Sequence, residues 1–292
     1  MSKRKPSIPQ APPRICLFCD RIANSPEHLW PDWMGTHFLK TAHDKSLETW
    51  RRIGDTTPEV EGTKIHHGHA TTRKLKYVCR KCNNGWMSIM ESVAKPLLEP
   101  MVLGNSIKLD ENAQEIVAKW LIMKIMAYEH TDQNRPIDGS GGTVFSRDDT
   151  LAFHSTRAMP ENLKIWLFHS DSGALSSRIV RVFTCLLTAE QVLVAIPRKA
   201  NVQTILFGAG KLLAFFAHST IEEFELGDAS QESAQRIYPP VRPSAIWPPI
   251  NSLTLDPPVT ASSSSARRRA ANGPTPAPTA DWQSGSPLAG GG

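Results

Sequence analysis

The chain has 292 residues, of which 40% are hydrophobic and 21% charged, with a formal net charge of +5 and a pI near 9.0. That length holds two modest domains plus tails at roughly 150 residues per domain. The 23 prolines and 18 glycines imply that part of it lies outside any packed core. The basic balance is compatible with a polyanionic partner but does not by itself identify one.

Residues 1–13 are basic and proline-rich and read as a flexible arm. No apolar run follows them, so they are not expected to be a secretory signal. The longest membrane candidate, Leu212 to Ala217, falls far short of the roughly 20 apolar residues a span requires, so no membrane partner is expected. The expected address is cytoplasmic, where disulfides are disfavoured. The five cysteines are then to be explained as ligands, nucleophiles or core residues.

Residues 14–104 contain four of those five cysteines and six of the ten histidines. Cys16-Leu17-Phe18-Cys19 and Cys79-Arg80-Lys81-Cys82 are both C-x-x-C units. A two-residue spacer lets two thiolates reach one metal, with loop amides pointing at the sulfurs. Two such knuckles make the closed all-sulfur site of a structural Zn2+. Redox pairs or accidental spacing are the alternatives, and two matched units in a cytosolic chain favour zinc. The stretch between Cys19 and Cys79 is longer than a minimal zinc ribbon needs, so another element is expected between the knuckles. His66-His67-Gly68-His69 within it reads as a polar loop touching phosphate.

A strand-like LKYV precedes Cys79, and a helix follows Cys82. Trp86, Ile89, Met90 and Val93 lie at offsets 0, 3, 4 and 7, one helical face, expected to stop at Pro96. An early hairpin knuckle and a late helix-starting knuckle is the layout of a treble clef.

Residues 105–250 read as an α+β domain. Asp110 caps a long helix over ENAQEIVAKWLIMKIMAYEH, with an apolar stripe including Ile116, Trp120, Leu121 and Ala127. Beyond Pro136 the pattern turns strand-like at 163–169, 178–183, 192–196, 202–207 and 211–217, the last two flanking Gly208-Ala209-Gly210, a hairpin signal. An antiparallel sheet packed on the long helix is expected. Cys185 reads as a buried strand thiol. Residues 251–292, containing SSSSARRRAANGPTPAPTA, are expected to be a disordered tail.

CLFCDRIANSPEHLWPDW followed by VCRKCNNGWM resembles the HNH endonuclease superfamily in its four-cysteine, ββα-metal branch. The matching pieces are C-x2-C, then Glu27-His28-Leu29-Trp30-Pro31, then C-x2-C-N-N-G-W-M, and together they span about residues 14–96. The resemblance implies that His28 is the general base taking a proton from the attacking water. It implies Glu27 as an oxygen ligand to a catalytic Mg2+ or Mn2+. The position after the last zinc cysteine, usually a histidine ligand, is Asn83, which favours a hard cation. The family's middle asparagine, which orients the base, is missing from Arg73-Lys74-Leu75-Lys76, so Asn84 or an element outside the motif would have to serve.

The chemistry is coherent on residue grounds. A neutral imidazole accepts a proton at cellular pH, and a divalent cation offsets charge on the phosphate and the leaving 3′ oxygen. From Gly62 through Met90 there is no Asp or Glu, while Lys74, Lys76, Arg80 and Lys81 are present, as phosphate positioning requires. The expectation is a metal-dependent endonuclease acting on nucleic acid, DNA first, with residues 105–250 recognising substrate or a partner. A non-catalytic zinc module binding nucleic acid or protein is the main alternative, and an RNA-cleaving toxin a third.

Overall fold

The computed structural model describes residues 13–37, 72, 74–129, 145–171, 202–219 and 233–249, and the backbone of three strands at 45–53, 58–67 and 177–184. The chain is α+β. Residues 192–196, Cys185 and the tail at 251–292 lie outside the described residues, as do the arm at 1–12, Gly68 and His69.

Between the knuckles the chain builds β1 (Ser25–His28), a 3-10 turn at Asp32–Thr36, and a long antiparallel pair, β2 (Lys45–Ile53) with β3 (Pro58–His67). His66 and His67 end β3, opposite Ser46 and Lys45, so they belong to a strand and not to the expected loop. β4 (Lys74–Val78) returns to pair antiparallel with β1 and leads straight into Cys79.

After the second knuckle, the three-residue turn α1 (Arg80–Cys82) and a wider turn over Asn83–Met87 lead into α2 (Ser88–Leu103). The expected stop at Pro96 does not occur: Pro96 and Pro100 both lie inside α2. An interior proline costs a helix about 3 kcal/mol, and burial of Ala94, Leu98, Met101 and Val102 offsets it. The helix ends at Gly104, in left-handed backbone at φ 82°, where the Asn105 N–H reaches the Pro100 carbonyl at 2.8 Å. The expected apolar face is also rotated. Ile89 and Val93 are 65% and 48% exposed, while the buried face of α2 runs through Ala94, Leu98 and Met101, and Trp86 and Met90 pack against the core.

β5 (Ile107–Asp110) feeds α3 (Glu111–Glu129), whose Ala113 N–H bonds the Asp110 carboxylate at 2.8 Å as the capping pattern requires. Trp120, Leu121 and Ala127 are buried as expected, but so is most of the remaining circumference, which makes α3 a core helix and not a surface one. α4 (Arg147–Thr156), which the strand-like reading missed, starts at a reciprocal capping box between Ser146 and Asp149. Then come β6 (Leu163–His169), β7 (Ser177–Thr184), β8 (Val202–Ala209), β9 (Leu212–Ser219), β10 (Ala234–Tyr238) and β11 (Ser244–Trp247). Strands β10-β6-β9-β8-β7 form one antiparallel sheet, and β11 pairs with β5. Ala209 pairs with Leu212, so the β8–β9 turn is Gly210-Lys211, with Gly210 left-handed at φ 59°.

One hydrophobic core runs from Cys16 to Trp247. Trp30, from the knuckle segment, stacks on Phe207 of β8 at 4.3 Å, and Trp120 of α3 meets the same ring edge-on at 6.2 Å. Phe207 therefore joins both halves of the described chain. Phe207→Ala is expected to destabilise by about 3–5 kcal/mol, with tryptophan fluorescence and far-UV circular dichroism losing signal in one coincident urea transition.

Candidate metal centre and histidine site

Local geometry assembles the sulfurs. A bridge between Ile15 and Ile22, with Cys16 N–H on the Arg21 carbonyl at 2.6 Å, closes the first knuckle as a tight hairpin. Leu17 N–H bonds the Tyr77 carbonyl at 2.7 Å and ties that hairpin to β4. Cys79 sits in extended backbone at the cap of α1, its sulfur accepting from the Cys82 N–H at 3.4 Å. The Cys79 N–H reaches the Cys16 sulfur at 3.2 Å.

All four sulfurs lie within 4.8 Å of one another, and Cys19 is 3.6 Å from both Cys79 and Cys82. These separations are too long for disulfides. They match the roughly 3.8 Å edge of a tetrahedron with Zn–S bonds near 2.3 Å. Cys16, Cys79 and Cys82 are buried and Cys19 partly so. Burial pushes the Cys16 and Cys82 thiols up, so on their own they keep their protons. Burial also works against the Cys79 thiolate, but the Cys82 N–H and the neighbouring thiols outweigh it and bring Cys79 down to about 7. A divalent cation reverses the balance by deprotonating its thiol ligands. The set fits zinc.

Aromatic and basic groups of α4 cover the centre. Arg147 donates to the Cys16 and Leu17 carbonyls at 2.8 and 2.6 Å and to Asp20 at 3.0 Å. Phe18 meets Trp86 edge-on at 5.0 Å, Phe153 lies 5.9 Å from Trp86, and the Arg157 guanidinium lies 4.1 Å above the Trp86 ring.

β1 carries the expected base and acid. Successive strand side chains point to opposite faces, and Glu27 and His28 do diverge. Glu27 is buried, its carboxylate 2.5 Å from the Lys124 Nζ, and Glu91 of α2 lies 3.3 Å from the same nitrogen. His28 is partly exposed, with Nε2 3.2 Å from Asp32, while its carbonyl accepts from Lys124 at 3.2 Å. The Asn83 amide nitrogen donates to the Ser25 hydroxyl at 3.0 Å and the Pro26 carbonyl at 3.3 Å, pinning the turn after the second knuckle to β1. Asn84 is exposed. Lys74, directly opposite His28 on β4, is exposed, as are Lys76, Arg80 and Lys81.

Lys124 and Asp32 were missed by the sequence reading. Lys124 is 1% exposed in the middle of an apolar helix. Burial alone would depress its ammonium, but the Glu27 and Glu91 carboxylates hold it above its ordinary value. A signal was present: Lys119 has Glu115 four residues back as a surface partner, whereas positions 120, 121, 127 and 128 offer Lys124 no acid. An interior lysine without a local partner demands a distant one.

The purified chain is expected to carry one zinc, and Cys82→Ser to reduce metal content from about one per chain to near zero by elemental analysis. Lys124→Met leaves Glu27 buried and uncompensated, and is expected to cost about 3–5 kcal/mol in urea unfolding. Adding Glu27→Gln should recover much of that loss, which a purely steric role for Lys124 would not allow. No protein-family model, no curated protein and no solved structure matches this chain.

Proposed function

We propose that the chain is an endonuclease of HNH type, with a treble-clef zinc module, hydrolysing nucleic-acid phosphodiesters, DNA first, with His28 as general base. The observation that carries the reading is the placement of His28. It ends a strand whose antiparallel partner runs directly into the second knuckle and its helix, so the sulfur cluster and the Asn83 amide clamp strand, strand and helix around it.

In this reading a neutral His28 donates Nε2–H to Asp32 and keeps Nδ1 free to accept a proton from water. The water oxygen attacks phosphorus and the 3′ oxygen leaves. Asp32 takes the orienting role that the missing middle asparagine would have filled. Lys74 and Lys76, with Arg80 and Lys81, hold phosphate. The cation donors that the resemblance implies, Glu27 and Asn83, do not form a divalent site as placed. Lys124 already neutralises the Glu27 carboxylate, so the Asn83 carbonyl oxygen has no free carboxylate beside it with which to share a cation.

That same Lys124 lock favours the second reading, a zinc module that binds without cleaving. Supercoiled-plasmid nicking with Mg2+ or Mn2+, beside an EDTA control, separates the two. His28→Ala is expected to lower the nicking rate at least about 100-fold with zinc content unchanged. Full activity in that folded variant would remove His28 as the base, and no nicking by zinc-loaded native chain would leave the binding module.

A further inference from the structure

The zinc knuckles and α4 bring together basic side chains that the sequence keeps far apart. Arg21 follows the first knuckle, Lys81 lies inside the second, and His154 and Arg157 come from the last turn and cap of α4. The sulfur cluster draws the first two to one end of the fold. Phe153 and Arg147 dock α4 onto that end, through the rings of Phe18 and Trp86 and the carbonyls of Cys16 and Leu17. The Trp86 ring then has Arg157 over it at 4.1 Å and His154 edge-on at 5.9 Å. Arg21 and Lys81 are exposed, and His154 and Arg157 are half-buried.

Nearby acids are engaged elsewhere. Asp20 is held by Arg147, and Asp148 and Asp149 sit at the opposite end of α4, the latter closing the capping box. Burial, and after it the positive charges of Arg157, Arg21 and Lys81, hold the His154 imidazolium below the ordinary histidine range.

Arg157 adds an independent sign. Its backbone is left-handed at φ 61°, and among the described residues only Asn162 shares that state without being glycine. A helix cap of this kind ordinarily takes glycine. Here an arginine occupies it, its guanidinium bonded to the Phe153 and His154 carbonyls and laid on Trp86.

We propose that Arg21, His154 and Arg157 form a further phosphate-binding surface that continues from Lys81, at the edge of the His28 site, and grips the backbone of bound nucleic acid across the zinc knuckles. The identity of the polyanion rests on the nuclease reading; the convergence of basic side chains does not.

The test is binding of a 30-base-pair duplex to full-length chain in a His28→Ala background, followed by fluorescence anisotropy across a salt series. Arg21→Gln and Arg157→Gly combined are expected to lower the log-affinity against log-salt slope by about 2, at roughly 0.9 per phosphate contact. Zinc content should hold in each variant. An unchanged slope with zinc retained would overturn the proposal. So would loss of zinc in the variants, which would mean that the cations serve the thiolates. Salt-dependent binding that is lost in the combined variant, in a chain that nicks nothing, would sink the nuclease reading and leave this surface standing.

Discussion

Four sulfur atoms within 4.8 Å of one another connect residues 16 and 82, and most of the local order around the candidate site depends on that closure. The first knuckle is a tight turn held by short backbone bonds, and the second is the capped start of a three-residue helical turn. Neither buries enough apolar surface to hold its position alone. Without a cation, burial holds the Cys16 and Cys82 sulfurs as neutral thiols, which crosslink nothing. A divalent metal turns the same cluster into a crosslink whose binding free energy is folding free energy. Once the knuckles meet, β1 must pair with β4, and His28 is set at the strand end beside Asp32.

The knuckle segment is not self-contained among the described residues. Trp30 completes its packing on Phe207 of the sheet, and Arg147 of α4 satisfies the Cys16 and Leu17 carbonyls. Lys124 of α3 supplies the counter-charge for Glu27 and a donor to the His28 carbonyl. Later parts of the chain thus provide the floor and the charge balance of the site. A buried ammonium shared between two carboxylates tolerates loss of a partner poorly, so this contact specifies how α3 seats against β1 and α2. It also makes Glu27 an interior residue, although its place in the motif invites a ligand role.

Much of this was legible in the residues themselves. The paired C-x-x-C units announce a metal cluster because two-residue spacing is a local property of a thiolate loop. The Asp110 cap, the strand at 163–169 and the hairpin near Gly210 follow from backbone propensity and period, which act within a few residues. Where local signals and burial competed, burial prevailed. Pro96 and Pro100 stay inside α2 because its inner face packs, and the face that buries Ala94, Leu98 and Met101 leaves Ile89 and Val93 outward, against the face that the spacing of 86, 89, 90 and 93 suggested.

What only the tertiary structure decided is the pairing of distant charges. Glu27, Glu91 and Lys124 carry no mutual spacing that a sequence pattern can register, and neither do Arg21, Lys81, His154 and Arg157. Electrostatic partners are chosen by proximity in three dimensions, and proximity follows from how helices and sheet bury their apolar faces. The residue types available for metal and phosphate chemistry were therefore determined by sequence alone. Which of them face one another, and which are locked away from solvent, was settled by the packing of α3 and α4 against the knuckles.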